Sequence, residues 1–451
     1  MLNKLNAVSQ KLTPGFRKII RNVSWLSAEY LLSLVLTFLV GVYVVRYLGP
    51  ESYGKLSYSI SFVTLFGAIA NLGLDSIVVR NLVQDENATK EILGTAFILK
   101  LLGSLATIAV VNIATLFFID ERQLPWISLV IVNGFLFQSF DVIDFWLQSK
   151  VLSSSTAIVR STQLILSSAA KFSFIALRLS LAAFVWLMLV DAFSRAVGMI
   201  LLYFKYSQSI FTWKVSFPRA LDLLKDSFPL ILSGMMVTIY MKIDQVMLGN
   251  MASNDAVGNY AAAVRFSEIW YFLPVTVCSS VFPAIIQAKQ TDEKKYIKRL
   301  QQLYDLMAWL SIAIAVPMTF LSGKIIIALL GEKYIYAGSI LSLHIWAGPF
   351  VFLGVARGKW LTAENLNKFN FFTTALGAAL NVVLNFLLIP KYVGNGAAFA
   401  TVISYAVASY ISCWFYPELY HTGWMLSKAL CVPLRLQQNL AYLNKIRRIF
   451  L

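Results

Sequence analysis

Long apolar segments separated by short polar stretches follow one another along the whole chain. Because a membrane-spanning α-helix needs about 20 predominantly apolar residues, each long segment predicts one span. A transmembrane β-barrel would instead alternate apolar and polar residues, so the unbroken runs favour helices. About twelve spans are predicted, at 25–45, 57–79, 94–118, 125–148, 157–177, 181–204, 227–248, 256–286, 303–321, 338–356, 369–389 and 395–416.

Composition supports an all-α polytopic membrane protein. Of the 451 residues, 58% are hydrophobic and 13% are charged, whereas a soluble domain has about 25% charged residues. These values exclude a soluble multidomain protein, a disordered chain and a disulfide scaffold. They also exclude a nucleic-acid-binding module, despite the net charge of +16. The three cysteines, Cys278, Cys413 and Cys431, are predicted to be free thiols.

The basic residues orient the predicted spans, because Lys and Arg are enriched in short cytoplasmic loops. With the N-terminus inside, most Lys and Arg residues outside the spans fall on the cytoplasmic side. This bias predicts a multi-pass membrane protein with both termini in the cytoplasm. The opposite side holds few basic residues: Arg46, Lys55, Arg122, Arg178, Lys324, Lys333 and Lys391.

The longest cytoplasmic loop divides the predicted spans into six and six. This division predicts an N-lobe at 23–204, an inter-lobe loop at 205–226 and a C-lobe at 227–416. The ends, 1–22 and 417–451, contain apolar residues spaced three or four apart beside Lys and Arg. Such basic amphipathic segments bind the anionic cytoplasmic leaflet of a membrane.

The two halves begin alike. The first span ends in Leu48-Gly49 and is followed by Tyr53-Gly54, and the seventh ends in Leu248-Gly249 and is followed by Val257-Gly258. Because each half has six spans, both halves keep the same orientation in the membrane. Parallel repeats of this kind are a transporter architecture with the binding site between the lobes.

Ionisable residues inside the predicted spans are the main candidates for function, since each costs about 2.5–3.5 kcal/mol near a helix centre. Asp191 with Arg195, and Arg265 with Glu268, are spaced to pair on one helix face. The whole set predicts a hydrated, charged cavity, and its Arg and Lys residues would suit an anion such as a diphosphate. The set is Lys100, Arg160, Lys171, Arg195, Lys242 and Arg265, with Glu29, Asp75, Asp141, Asp144, Asp191, Asp244 and Glu268.

The sequence contains none of the common motifs for enzyme chemistry. Neither His344 nor His421 has a second metal ligand at suitable spacing, and there is no P-loop or Gly-x-Ser-x-Gly motif. The chain is therefore predicted to be a transporter without a cofactor rather than an enzyme.

Three stretches resemble the Wzx-type polysaccharide repeat-unit flippases of the multidrug/oligosaccharidyl-lipid/polysaccharide superfamily, which also contains the MATE transporters. They are the first-span exit Arg46–Pro50 with Tyr53-Gly54, the seventh-span motif Asp244–Gly249 with Gly258–Ala262, and the segment Asn381–Tyr405. One position departs from the pattern, because Val393 follows Tyr392 where the family's pattern has glycine.

This resemblance implies two six-helix lobes in a V-shaped, MATE-like bundle that alternates access. The implied cargo is an undecaprenyl-diphosphate-linked oligosaccharide destined for O-antigen or capsule, and the implied partners are membrane lipids, a polysaccharide polymerase and a chain-length regulator, with no nucleic acid. On this hypothesis Arg265, Lys171, Arg195, Arg160 and Lys100 bind the substrate. Coupling to H⁺ or Na⁺ is assigned to Glu29, Asp141, Asp144 and Asp191.

Two alternatives remain at this point. A drug/cation antiporter of the same superfamily would account for the acidic residues in the spans. A membrane-bound polysaccharide polymerase or ligase would need a large loop outside the membrane, and the predicted outside loops are short.

Overall fold

The computed structural model describes residues 14–119 and 124–435, and every regular element in these ranges is helical. Short 3₁₀ turns connect several of the α-helices. The α-helices are α1 Pro14–Leu65, α2 Gly67–Asn71, α3 Asp75–Gln84, α4 Thr89–Phe118, α5 Pro125–Val132, α6 Gly134–Gln138, α7 Val142–Ser149, α8 Ser153–Ala176, α9 Leu181–Lys205, α10 Phe217–Met251, α11 Asn254–Glu268, α12 Phe272–Thr291, α13 Glu293–Leu330, α14 Ile335–His344, α15 Ala347–Ala363, α16 Asn367–Ser409 and α17 Tyr420–Leu430.

The prediction of an all-α polytopic membrane protein is confirmed. Within the described ranges, eight helices are long and apolar enough to cross a membrane. The number is nine if Glu332–His344 and Ala347–Ala363, which meet at a bend of 46°, form one span. All twelve predicted segments fall on helices or short runs of helices, but α1 and α16 each run through one predicted span and into the next.

Both of these long helices are broken near the end of a predicted span. In α1 the break is at Gly49, with φ 72° and ψ 169°, and Pro50 follows it. In α16 the break is at Val393, with φ 50° and ψ −126°, three residues after Pro390. Glycine tolerates positive φ at little cost, whereas a β-branched residue in this region is strained. Val393 is therefore the strained counterpart of Gly49, at the position where the sequence departs from the family pattern.

Replacing Val393 by glycine is expected to stabilise the protein by about 1–2 kcal/mol, because the left-handed backbone costs a residue with a Cβ about that much. Val383 in the same helix has helical backbone and an exposed side chain. Val383→Gly is therefore expected to lower stability slightly. Thermal unfolding of the purified protein measures both changes, and a lower melting temperature for Val393→Gly than for the parent would contradict this assignment of strain.

The chain forms two compact units. Unit 1 comprises Met1–Leu48 and Tyr58–Thr238, and unit 2 comprises Gly49–Ser57 and Ile239–Leu451. The predicted loop at 205–226 is partly wrong, because α10 already begins at Phe217. Hydrogen bonds of a continuous helix satisfy the backbone there, and Leu223 packs into the core of unit 1. Of the basic amphipathic ends predicted at 1–22 and 417–451, residues 1–13 and 436–451 lie outside the described residues. For the described part of the second segment the prediction of a surface tail is wrong, because Leu426 and Ala429 of α17 are buried in the core of unit 2.

Each unit has its own apolar core. In unit 1, Leu74, which precedes α3, and Val78 of α3 pack with Val142 of α7 and with Met199 and Tyr203 of α9. Burying a side chain of this size contributes about 1.5–3 kcal/mol in water, but between membrane helices close packing is the larger effect.

The core of unit 2 includes residues of α13, α15 and α17 and of the 3₁₀ turn Ile411–Trp414, which carries Cys413. Leu300 and Tyr304 of α13, Leu353 of α15, Cys413, and Leu426 of α17 are all fully buried in it. Cys278 and Cys413 are buried free thiols and Cys431 is an exposed one, as predicted.

Unit 2 also contains a close contact between the two sequence repeats. A Cβ built on Gly54 would lie 1.8 Å from the backbone oxygen of Asn254, and one built on Gly258 would lie 1.9 Å from that of Pro50. The contact is reciprocal, because Pro50 and Asn254 each lie four residues before the glycine of their own repeat. Small residues let membrane helices approach backbone to backbone. The glycines that carried the repeat in the sequence are therefore explained by this contact.

Candidate functional site

Four of the predicted site residues form two ion pairs in unit 1. Arg160 of α8 donates to Asp144 of α7 at 2.6 Å, and Arg195 of α9 donates to Asp141 at 3.2 Å. Lys100 and Arg160 also lie close enough to Asp141 to act on its charge. The structure therefore brings Lys100, Asp141, Asp144, Arg160 and Arg195 together in one group, here called the unit 1 charge cluster.

A local irregularity in the fourth predicted span positions the two acids. The span is interrupted by the 3₁₀ turn Ser139–Asp141, which separates α6 from α7. Asp141 ends this turn, and Asp144 follows in the first turn of α7. The two carboxylates thereby reach different arginines on two neighbouring helices. Gln148, one helical turn after Asp144, donates a further hydrogen bond to Asp144 at 3.0 Å.

Lys100 is the most deeply buried cation of the unit 1 charge cluster. Only 2% of it is exposed, and its ammonium lies 3.8 Å from the carboxylate of Asp75. It donates a long hydrogen bond of 3.4 Å to Asn71 and lies 5.3 Å from the ring centroid of Phe145. A buried ammonium requires partners of this kind, because an isolated charge in an apolar interior is costly.

A cavity of about 440 Å³ lies beside the cluster in unit 1. Asn71 lines it and accepts the hydrogen bond from Lys100, so one side chain joins the cavity to the charge cluster. The other polar side chains of the wall are those of Thr64, Gln138 and Thr238, and the rest of the wall is largely apolar. The volume falls within the range of about 300–1,000 Å³ that is common for small-molecule sites.

The predicted pairing of Asp191 with Arg195 is wrong. Arg195 turns to Asp141 instead, and Asp191 accepts a hydrogen bond of 2.6 Å from Ser167 of α8. Both partners lie on neighbouring helices, so contacts between helices outweigh the i,i+4 spacing within α9. Asp191 thus joins α9 to α8.

The remaining predicted site residues are not placed in the unit 1 charge cluster. Lys171 lies half-buried on α8 and Glu29 lies half-buried on α1. Arg265 lies half-buried near the end of α11, within unit 2.

A second polar site in unit 2 surrounds Asp244 of α10, which is only 2% exposed. Its carboxylate accepts hydrogen bonds from the hydroxyls of Tyr260 at 2.6 Å and Thr401 at 2.7 Å, and from the amide of Asn385. Among the described residues, these donors are all neutral. The site therefore holds a buried carboxylate whose negative charge is not neutralised by its hydrogen-bonding partners.

Two side-chain amide atoms near Asp244 also lack hydrogen-bond partners. Asn385 donates to the carbonyl oxygen of Asn381 at 3.1 Å, and this leaves the oxygen of Asn385 and the nitrogen of Asn381 buried without a partner. Rotation of an Asn amide exchanges its oxygen and nitrogen, so either atom can face the carboxylate. Asp244, Asn381, Asn385 and Thr401 together provide the oxygen atoms that a hard cation prefers.

The sequence contained Asp244 among the acids in spans but did not single it out. Asp244 belongs to the seventh-span motif of the family resemblance. Its importance depends on its burial and on Asn385 and Thr401, which lie 141 and 157 residues away in the chain. The available signal was that Asn381, Asn385 and Thr401 are polar residues in apolar segments, at positions that the family resemblance already included. The composition of a single span does not show that Asn381, Asn385 and Thr401 contact α10.

The family described as polysaccharide biosynthesis protein matches residues 19–289, which is more than half of the chain. The chain belongs to this family. The MatE family matches residues 229–387, so the second half of the chain carries the likeness to MATE transporters. The resemblance inferred from the sequence is confirmed.

Two curated relatives illustrate the range of the family. The chain is 28% identical over 193 residues to the probable flippase AglR of Haloferax volcanii, a match that covers 41% of this chain and only 39% of that protein. It is 23% identical to the capsular polysaccharide biosynthesis protein CapF of Staphylococcus aureus over 442 residues, which cover 89% of this chain and all of CapF.

Two solved structures show the fold. The lipid II flippase MurJ, in an inward closed conformation, aligns with a TM-score of 0.67 at 17% identity and 90% coverage of both chains. An inward-facing multidrug resistance MATE family transporter of the MOP superfamily aligns with a TM-score of 0.66 at 12% identity, covering 91% of this chain and 99% of that one. The chain is thus a multi-pass membrane protein with the fold of these transporters.

Proposed function

We propose that the protein is a flippase that moves a lipid-linked oligosaccharide across the bacterial inner membrane by alternating access. The lipid is undecaprenyl diphosphate, and the oligosaccharide is a repeat unit of a surface polysaccharide such as capsule or O-antigen. What supports this most directly is membership of the polysaccharide biosynthesis family together with a charged group beside a cavity in unit 1. The named flippases among the relatives and structural neighbours agree with it.

The unit 1 charge cluster is suited to a diphosphate because its cations are already held in place. Arg160 and Arg195 are each partly exposed, at 40% and 37% of the side chain. A phosphate oxygen can therefore reach the guanidinium groups without unburying them, and Arg binds phosphate in a bidentate manner. The neighbouring carboxylates compensate the charge of these arginines, so the cluster does not depend on the cargo for charge neutralisation.

The roles of the other proposed binding residues are tested by substitution. If Arg265 and Lys171 hold the substrate, Arg265→Ala and Lys171→Ala each reduce the amount of surface polysaccharide. Unchanged polysaccharide in both strains, with normal protein levels in the membrane, would remove these two residues from the binding site.

Arg195→Gln is expected to lower both stability and transport, because it leaves Asp141 without its guanidinium partner. The double variant Arg195→Gln/Asp141→Asn removes both charges, so its stability is expected to return to within about 1 kcal/mol of the parent. If Arg195 binds cargo, transport stays low in the double variant even though stability recovers. Recovery of transport along with stability would show that the pair is structural only. Unfolding curves and surface polysaccharide are measured for the parent and for both variants.

Ion coupling is assigned to Asp244 in preference to Asp141, Asp144 and Asp191, three of the four acids selected from the sequence. Asp141 and Asp144 are paired with arginines, and Asp191 is bound by Ser167, whereas Asp244 is buried among neutral donors. A proton or a monovalent cation such as Na⁺ would neutralise it. Binding and release of that ion would change the electrostatic energy of unit 2 and so couple the ion gradient to the conformational cycle.

A drug/cation antiporter is the second candidate, and the match of residues 229–387 to MatE favours it. Export of cationic dyes from cells that overproduce the protein, together with normal glycan display after deletion of its gene, would select this function over the first.

Deletion followed by analysis of lipid-linked glycans tests the flippase proposal in cells. Loss of the transporter is expected to cause accumulation of one undecaprenyl-diphosphate repeat unit on the cytoplasmic side, reversed by the parent gene. No accumulation would contradict the proposal. Protection of tagged termini from impermeant reagents tests the cytoplasmic location of both ends, and co-purification tests contacts with a polymerase and a chain-length regulator.

A further inference from the structure

A second cavity, separate from the unit 1 charge cluster and from Asp244, lies at one end of unit 2. Its volume is about 380 Å³. Three connections form it: the junction of α10 and α11, the start of α14 and the break of α16. Its wall includes Ser253, Asp255, Asn259, Tyr336, Ser339, Tyr392, Val393 and Asn395.

The floor of this cavity has polar atoms without partners. Asn259 is only 4% exposed; its nitrogen donates to the backbone oxygen of Asp255 at 2.9 Å, but its oxygen is buried without a hydrogen-bond partner. The side-chain oxygen of Asn395 is buried and unpartnered as well. Buried polar atoms in native proteins are nearly always satisfied, and these two unpaired acceptors belong to residues of one cavity wall, where a ligand that donates hydrogen bonds would satisfy them.

The rim of the cavity is aromatic. Tyr336 is 73% exposed and Tyr392 is 61% exposed, and both rings line the opening. Large exposed aromatic side chains beside a few convergent polar groups are typical of a ligand site, and a tyrosine ring offers both an apolar face and a hydroxyl. The strained backbone at Val393 lies in the same wall.

The chemistry of the wall selects a neutral polyhydroxylated ligand. Among the described residues that line the cavity, none is Lys or Arg, so an anion such as phosphate is disfavoured. Asp255 is the one carboxylate in this wall, which is fewer than a divalent cation usually recruits from a protein site. Hydroxyl groups would donate to Asn259, Asn395 and Asp255, and the apolar face of a sugar ring would pack on Tyr336 and Tyr392.

We infer that this cavity binds a sugar of the translocated oligosaccharide on the side where the cargo is released. The side follows from the predicted orientation, which places the α10–α11 junction and the α16 break outside the cytoplasm. This inference rests on the proposed flippase function and adds to it a glycan-binding subsite in unit 2. Such a subsite would hold the glycan after translocation and keep the cargo from returning.

The test uses the full-length protein in lipid nanodiscs. The probe is the oligosaccharide released by mild acid from the lipid-linked fraction of the producing cells, and binding is measured by calorimetry and saturation-transfer NMR. Tyr336→Ala and Tyr392→Ala are each expected to weaken binding by about 3- to 10-fold. The matched control is Tyr420→Ala, an exposed tyrosine on α17 that does not line the cavity, and it is expected to bind as the parent does.

Three results would overturn the inference: no binding by the parent, equal binding by the Tyr336→Ala/Tyr392→Ala double variant, or loss of binding when a chelator is added, which would identify a cation site. These results are distinct from failure of the flippase proposal. That proposal fails if deletion causes no accumulation of the lipid-linked repeat unit. The inference alone fails if accumulation occurs, yet the double variant binds the oligosaccharide and restores polysaccharide as the parent does.

Discussion

Asp244→Asn is expected to abolish ion-driven transport without unfolding the protein. The substitution keeps the shape of the side chain and removes a negative charge that is buried among neutral donors. Because burying an uncompensated charge is costly, the neutral variant should be at least as stable as the parent. Coupling free energies between sites are typically about 1–3 kcal/mol, so the stimulation of transport by the ion gradient should fall by about 5- to 150-fold.

The experiment measures translocation of the lipid-linked oligosaccharide by the reconstituted protein under three conditions: an imposed sodium gradient, an imposed proton gradient and no gradient. Asp222→Asn, at an exposed position of α10, is the matched control and should respond as the parent does. Thr401→Val removes one donor to the carboxylate and should weaken coupling less than Asp244→Asn does. Gradient-stimulated transport by Asp244→Asn at the parental rate would show that the ion binds elsewhere.

Gly258→Ala and Gly54→Ala are expected to be the most damaging single-methyl changes in the described chain. At each position the new Cβ would lie less than 2 Å from a backbone oxygen, at 1.9 Å and 1.8 Å respectively. Neither backbone can give way without separating α1 from α11, so each variant should lose about 1–3 kcal/mol or more. Both are expected to lower the amount of folded protein and to stop polysaccharide export.

The control for this pair is Gly348→Ala in α15, where an added Cβ meets nothing within 4 Å. An alanine inside a helix is favoured over glycine by about 1 kcal/mol, so this variant should be stabilised. The two kinds of site therefore predict effects of opposite sign for the same chemical change. Melting temperatures that shift in the same direction for Gly258→Ala and Gly348→Ala would contradict the close-contact interpretation.

The sequence predicted the class of fold because apolar length is a local property. Each twenty-residue run reports its own helix, and no knowledge of its neighbours is needed. It did not predict that α1 and α16 each continue from one of these runs into the next, because that depends on the backbone at Gly49 and Val393. It also placed a loop where α10 begins at Phe217, since this first part of α10 is polar enough to resemble a connection.

For the charged residues, the sequence likewise predicted which ones lie in spans but not which residues they contact. The sequence selected Asp141, Asp144, Arg160 and Arg195 correctly as charges inside spans, and these four form two ion pairs in unit 1. It could not assign the partners, because each pair joins different helices, and spacing along α9 favoured Asp191 for Arg195 instead. Asp244 was not chosen because only the folded chain shows that its partners are neutral.

Reconstitution into liposomes shows whether the protein itself flips a lipid-linked oligosaccharide. The protein is reconstituted into liposomes that carry a fluorescent undecaprenyl-diphosphate oligosaccharide, and an impermeant glycosidase added outside measures how much glycan is exposed. The proposal predicts that the protein makes the inner-leaflet pool accessible at a rate that depends on the ion gradient and falls in Arg195→Gln. The contrary result is that inner-leaflet glycan becomes accessible to the glycosidase no faster than in protein-free liposomes, while a cationic dye is transported. The protein is then an antiporter and not a glycan flippase.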